Sequence, residues 1–152
     1  MTSEVTVDGE DADRSIIEML SLSRYRDQIR LVMIDGTCLG GFNVVDIDVL
    51  SQATGLPFCT VTRHRPDLDS MRSALQKHFL DWERRFEIVG RQRLYEIQTK
   101  HGALFVSVTG TTIAAAKELI SASTVQGTMP EPLRLAHLVA AAIVKGESKG
   151  NP

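Results

Sequence analysis

An apolar run from Ile29 to Ile34 stops abruptly at the dipeptide Asp35-Gly36. A nearly continuous run of this kind is typical of a β-strand that other elements cover on both faces. In sheets of such strands, ligands and metal ions collect beyond the carboxyl ends, which is where Asp35 lies. The pattern therefore predicts a buried strand with an acid at a candidate binding position. The alternative is a plain turn, since Asp and Gly are both common after strands.

The rest of the chain divides into short segments with strand or helix patterns. We predict strands at 4–7, 29–35 and 58–63, and a β-hairpin built from 94–99 and 103–110. We predict helices at about 11–27, from about 44 to Gly55, from Asp67, around Trp82, and at about 112–123 and 131–145. This succession indicates one α/β domain over residues 1–152, a mixed sheet flanked by helices, with a flexible tail from about 146.

Composition and charge narrow the class of protein. The chain has 152 residues, 43% of them hydrophobic, and a net charge of −2. With no long apolar segment and an acidic start unlike a secretory signal, we predict a cytoplasmic protein with no membrane partner. The segment from residue 63 to residue 100 contains nine basic and six acidic residues. This segment predicts either a basic face for a nucleic-acid backbone or a solvated surface held by salt bridges.

Several carboxylates could join Asp35 in a metal site. Magnesium is commonly held by one or two carboxylates together with substrate phosphate oxygens. Asp8 and Asp11 follow the first predicted strand, and Asp46 and Asp48 follow the glycine-rich loop. For each of these four acids, helix capping or simple surface exposure is the alternative.

The segment PEPLRLAH, residues 130–137, opens the last predicted helix. Arg134 and His137 are three residues apart and share one face of that helix. An arginine and a histidine side by side suit phosphate binding and proton transfer, although a histidine on a helix is often only a hydrogen-bonding residue. We predict that the buried stripe of this helix consists of Leu135, Leu138, Val139 and Ala142.

Five longer blocks occur in the order found in a known family. They are EVTVDGEDA, VMIDGTCLGGFNVVDID, TGLPFCTVTRHRPD, HFLDWERR and MPEPLRLAHLVAAAIVKGES. Over most of the chain, these blocks resemble the endonuclease dU family, a mainly archaeal family related to endonuclease V. The resemblance implies an RNase H-like sheet and endonuclease activity that depends on Mg²⁺ or Mn²⁺. The implied substrate is nucleic acid, with DNA that carries a deaminated base as the first expectation.

The family's motifs carry roles to particular residues of this chain. Asp35 with Gly36 resembles the Asp-Gly of the central strand, which implies a catalytic metal carboxylate beside a substrate-binding glycine. The PEPLRLAH block is similar to a late helix near the site. This similarity implies that Arg134 binds substrate and that His137 assists catalysis.

The glycine-rich loop and the start of the chain match the family more loosely. Asn43 lies in the matched loop, which makes it a candidate substrate-binding residue. Asp8 and Asp11 fall where further metal ligands are expected.

The chain departs from the family at its beginning. The family starts with an acidic strand and a second strand before the equivalent of EVTVDG, where this chain starts. We therefore expect an N-terminally truncated RNase H-like domain that lacks part of its metal site. Because exposed strand edges pair readily with other chains, we also expect homo-oligomers to form through them.

Three functions remain open at the level of sequence. The first is a metal-dependent endonuclease. The second is a non-catalytic nucleic-acid-binding or regulatory α/β module that lacks a complete metal site. The third is a binder of a small-molecule phosphate or nucleotide at the strand ends, which is disfavoured because the sequence contains no GxxxxGK[ST] or GxGxxG motif.

Overall fold

The apolar run before Asp35 forms the edge strand of a four-stranded mixed sheet in the computed structural model, which describes residues 1–146. The strands are β1 (Val32–Asp35), β2 (Cys38–Leu39), β3 (Asn43–Val44), β4 (Phe58–Thr62), β5 (Tyr95–Thr99) and β6 (Gly102–Thr109). The order in the large sheet is β1-β4-β6-β5. β1 and β4 run parallel, whereas β6 is antiparallel to both of its neighbours. The predicted mixed sheet and its hairpin, β5–β6, are confirmed.

Six helices accompany the sheet in residues 1–146: α1 (Ala12–Ser21), α2 (Ile47–Thr54), α3 (Leu68–His78), α4 (Trp82–Arg91), α5 (Ile113–Ser123) and α6 (Glu131–Lys145). The polar residues that precede several of them explain where they begin. Asp67 caps α3 by accepting from the Ser70 N–H at 3.0 Å, and Thr112 caps α5 by accepting from the Ala115 N–H at 3.2 Å. None of these helices is long and apolar enough to cross a membrane.

β4 lies between two apolar cores. Phe58 packs in one core with Ile34 and with apolar residues of α1 and α2. Cys59 and Val61 point to the opposite core, which includes residues of β5, β6, α5 and α6. Because successive strand residues face opposite sides, a strand covered on both faces needs the unbroken apolar run that its sequence shows.

Three predicted elements differ from the structure near the start of the chain. Residues 4–7 form no strand, because their backbone is not paired into either sheet. The helix predicted at 11–27 is α1 followed by a separate 3₁₀ turn, Arg26–Gln28. The strand predicted at 29–35 begins only at Val32, where its N–H donates to the Pro57 carbonyl at 2.9 Å. The small antiparallel pair β2–β3 was not predicted.

The predicted buried stripe of α6 is wrong. Leu135 and Val139 are 62% and 42% exposed, whereas Leu133 is only 7% exposed and belongs to the core with Ile120. α6 packs against β1, which is the last strand of the sheet on that side. Within residues 1–146 no further strand lies beyond β1, so one long face of the helix has nothing to pack against. The predicted flexible tail lies almost entirely outside the described residues, and Gly146 ends α6 with a φ of +72°.

Candidate active site at the carboxyl ends of two parallel strands

A cavity of about 270 Å³ lies where β1 and β4 end. Its lining residues are Asp35, Thr62, Arg63, His64, Met129, Leu133 and Arg134. Asp35 stands opposite Val61 in the parallel register, so the residues that follow both strands emerge at the same edge of the sheet. The start of α6 and the residue before Pro130 form the other wall. One acid, two arginines and one histidine therefore line the same small cavity, together with the apolar side chains of Met129 and Leu133.

Asp35 ends β1 with its side chain exposed. Gly36 follows with a φ of +75°, and its N–H donates to the Val61 carbonyl at 3.0 Å. A positive φ favours glycine, so the chain turns away from the sheet directly after the acid. The carboxylate of Asp35 takes part in none of the hydrogen bonds or ion pairs formed within residues 1–146. The structure thus contains the turn at Asp35-Gly36 that the sequence offered as an alternative, and it also places an unpaired carboxylate at the cavity.

Arg134 lies near the start of α6 and lines the same cavity as Asp35. Its Nε and Nη2 atoms approach Glu131 Oε2 at 2.8 and 2.6 Å. Arg134 is the main cause that lowers the pKa of the Glu131 carboxyl below its usual value. The ion pair fixes the direction of the guanidinium, which has five N–H groups in all and keeps others for a ligand.

The structure brings a different histidine to the cavity from the one predicted. His137 is exposed on α6 and is not among the residues that line the cavity. His64, two residues after the end of β4, does line it. Its carbonyl accepts a hydrogen bond from Thr62 Oγ1 at 3.0 Å, which fixes the local turn. Position relative to a strand end, rather than helix periodicity, decides which histidine lines the same cavity as Asp35.

Asn43 is a buried hub between the glycine-rich loop and α1. Its Nδ2 donates to the Thr6 carbonyl at 2.9 Å and to Asp11 Oδ1 at 2.6 Å, and its Oδ1 accepts from the Ala12 N–H at 3.2 Å. Its side chain is 0% exposed. All the polar groups of the amide are thus directed to neighbouring parts of the fold, and substrate binding by Asn43 stays a prediction.

Asp8 and Asp11 are likewise occupied by neighbouring backbone and side-chain groups. Asp11 accepts from the Thr6 N–H and hydroxyl and from Asn43, and these hydrogen bonds lower its pKa from 3.8 to about 2. Asp8 Oδ1 accepts from the Phe42 N–H at 2.8 Å. Neither acid lines the cavity that contains Asp35. Within residues 1–146, no group of three or more His, Cys, Asp or Glu side chains is placed to hold a metal ion.

Much of the basic segment at 63–100 serves the fold. Arg85 is 6% exposed and donates to the carbonyls of Gly9 and Phe42 at 2.9 and 2.6 Å and to Asp81 Oδ2 at 2.8 Å. Arg91 forms an ion pair with the buried carboxylate of Asp46. These arginines support the salt-bridged alternative. Among the nine basic residues of this segment, Arg63 lines the cavity.

A second cavity, of about 350 Å³, adjoins the first. It shares Arg63, Met129 and Arg134 with the first cavity and is otherwise lined by Gln126, Gly127 and Thr128. The two spaces therefore form one groove with the two arginines at their junction. All the residues of the second cavity except Arg63 and Arg134 come from the loop between α5 and α6.

Sequence analysis missed Thr62, Arg63 and His64 as site residues. The available signal was their position directly after the second apolar strand run, equivalent to that of Asp35 after the first. The sequence predicts both runs as strands but does not indicate that the two strands are neighbours. Because β1 and β4 are adjacent and parallel, the two ends lie side by side.

Comparison with known proteins identifies the family. The chain matches the family described as Endonuclease dU over residues 1–144. The chain belongs to the endonuclease dU family. The resemblance drawn from the five sequence blocks is thus confirmed. Two relatives, both named only UPF0215 protein, come from Methanothermobacter thermautotrophicus and Thermococcus gammatolerans and are 41% and 44% identical. The matches cover 99% and 95% of this chain, and 74% and 73% of those proteins.

One solved structure of a similar protein supports the fold of this endonuclease dU family member. It is a crystal structure of a protein of unknown function from Archaeoglobus fulgidus, with a TM-score of 0.85 and 36% sequence identity. The match covers 93% of this chain and 80% of that one. The mixed α/β arrangement is therefore shared with a related archaeal protein.

Proposed function

We propose that this domain provides the phosphodiester-binding part of a metal-dependent endonuclease site, acting on nucleic acid and first of all on DNA with a deaminated base. The observation that carries the proposal is the shared cavity of Asp35, Arg63, His64 and Arg134 at the ends of two parallel strands. Membership of the endonuclease dU family supports the reaction class. An unpaired carboxylate beside two guanidinium groups suits a phosphate ester and a cation together.

Each residue of the cavity has a distinct role in the proposal. Asp35 would hold Mg²⁺ or Mn²⁺, since an exposed carboxylate beside a phosphate site is the oxygen ligand these ions prefer. When bound, the ion activates a water molecule and stabilises the leaving oxygen. Arg63 and Arg134 neutralise the phosphate, and Arg134 is already oriented by Glu131. His64 replaces His137 as our candidate for proton transfer, because it reaches the cavity.

One carboxylate is at the lower end of what magnesium sites contain, so the proposal includes further ligands. The open edge of β1 is where another strand can pair, and its carboxyl end would then lie beside Asp35 if the pairing were parallel. The matched relatives extend beyond the aligned region, which covers 74% of one and 73% of the other. We propose that an additional strand of this kind completes both the RNase H-like sheet and the metal site.

The test is cleavage of a labelled duplex that contains one deoxyuridine or deoxyinosine, with Mg²⁺ or Mn²⁺. Three proteins are compared: this chain, a version extended at its N-terminus with the additional residues of a longer relative, and the extended Asp35→Asn variant. We expect cleavage by the extended protein and a loss of cleavage activity on the order of 100-fold or more in the variant. Even residues that only form hydrogen bonds to metal ligands typically contribute about 10–100-fold to activity.

The matched control is Asp27→Asn, which changes an exposed carboxylate outside the cavity. It should leave cleavage unchanged. Equal activity of the Asp35→Asn variant and the parent would refute the assignment of Asp35.

The second candidate is a non-catalytic nucleic-acid-binding module. It is favoured by the absence of a group of three metal-binding side chains in residues 1–146. Duplex binding without cleavage by the extended protein, in both metals and with folded protein, would support this module over the endonuclease.

A further inference from the structure

We propose that the second cavity is a subsite for the nucleotide next to the bound phosphodiester, with Gln126 as its recognition residue. The inference rests on the proposed function, because it takes the first cavity as the phosphodiester site. Cavities of about 270 and 350 Å³ share Arg63, Met129 and Arg134, so a chain of two nucleotides can continue from one space into the other. Its bridging phosphate would then meet the two arginines at the junction.

The wall of the second cavity is anchored at several points. The Gln126 N–H donates to Glu131 Oε1 at 3.1 Å, and Thr128 Oγ1 donates to the His101 carbonyl at 3.2 Å. Met129 and Pro130, which follow, are buried. The loop is therefore held to α6 on one side and to the β5–β6 turn on the other. A wall fixed before binding loses little conformational entropy when a ligand enters.

The charge and hydrogen-bonding groups of this cavity suit a nucleotide. Two of its six lining residues are arginines, and none is acidic. The side-chain amide of Gln126 is exposed and can donate and accept hydrogen bonds, which matches the mixed donor and acceptor edge of a nucleobase. Gly127 has a φ of +73° and open space around its α-carbon, so no side chain narrows the cavity there.

The inferred substrate is a strand with two successive nucleotides unstacked from each other, rather than a lone nucleotide. In a duplex each base is stacked on its neighbours along the strand. It can therefore enter a cavity in a protein surface only after it has left the stack. A phosphodiester between two separately bound nucleotides is also held more firmly in position than one bound by its charge alone.

The experiment compares thymidine 5′-monophosphate with the dinucleoside monophosphate TpT, without metal, by NMR titration of the labelled chain. The monophosphate carries more negative charge, so attraction to the arginines alone predicts that it binds more tightly. The subsite predicts the reverse order. We expect Gln126→Ala to weaken TpT binding about three- to tenfold, the range for losing one or two hydrogen bonds.

Gln76→Ala, an exposed glutamine on α3, is the matched control and should alter neither affinity. A twelve-residue oligothymidylate is titrated in parallel to separate the two levels of inference. If the oligomer binds but TpT is no tighter than the monophosphate, or Gln126→Ala has no effect, the subsite is overturned. If the oligomer does not bind at all, both the subsite and the proposed function are refuted.

Discussion

Replacing Asn43 by alanine tests whether this residue holds the fold together or binds substrate. The side chain is fully buried and bridges three backbone or side-chain groups of residues 6–12. Asp11 precedes α1 but does not cap it, and Asn43 Oδ1 instead accepts from the Ala12 N–H at the start of the helix. The substitution therefore removes the helix cap and detaches the N-terminal segment from the glycine-rich loop.

The expected loss of stability follows from which partners remain buried. Ala12 is 0% exposed, so its N–H loses its side-chain acceptor where water does not reach it. An unsatisfied buried donor costs about 1–3 kcal/mol, and the lost bond to the Thr6 carbonyl adds about 1 kcal/mol. We therefore expect Asn43→Ala to lower the free energy of unfolding by about 2–4 kcal/mol. Stabilities of whole domains are about 5–15 kcal/mol, so this change is large.

The pH dependence provides a second measurement. The Thr6 hydroxyl and Asn43 are the leading causes that lower the pKa of Asp11 from 3.8 to about 2. Stability from this carboxylate is present above the unfolded pKa and is lost as the pH falls toward 2. In Asn43→Ala the folded pKa of Asp11 rises toward its ordinary value. The stability difference between the two proteins should therefore narrow as the pH falls from about 4 to 2.

The assay is urea unfolding followed by circular dichroism at several pH values, with DNA binding measured on the same samples at neutral pH. Gln52→Ala, an exposed amide on α2, is the control and should change stability by less than about 0.5 kcal/mol. A variant of Asn43 that keeps full stability but loses DNA affinity would refute the structural role and restore the substrate-binding one.

Two further substitutions test the packing around the same loop by thermal unfolding. Arg85→Ala should destabilise by about 3 kcal/mol because it leaves a buried network without its donor, whereas Lys77→Ala on an exposed face should have little effect; equal shifts would contradict this. Gly41→Ala should destabilise more than Gly55→Ala, because both have positive φ but only the first would place a Cβ against Asp8. The reverse order would show that contact with Asp8 is not limiting.

Local sequence signals account for most of the secondary structure. The unbroken apolar runs predicted β1 and β4, Gly55 marked the end of α2, and Asp67 marked the beginning of α3. These features act over a few residues, through capping bonds and backbone preferences, and can be read without knowing the fold. They failed at residues 4–7, where strand-like composition is present but no neighbouring strand pairs with it.

The sequence by itself determined the family, the mixed α/β class and the placing of Asp35 at the carboxyl end of a β-strand. Only the tertiary structure decided which residues Asp35 meets. The parallel pairing of β1 with β4 brings Arg63 and His64 to the same cavity as Asp35, although almost 30 residues separate them from it along the chain. The apolar face of α6 is exposed for a similar reason, because a helix is buried only where the sheet beneath it continues. Pairing between distant strands has no local signature, so it becomes visible only in the folded chain.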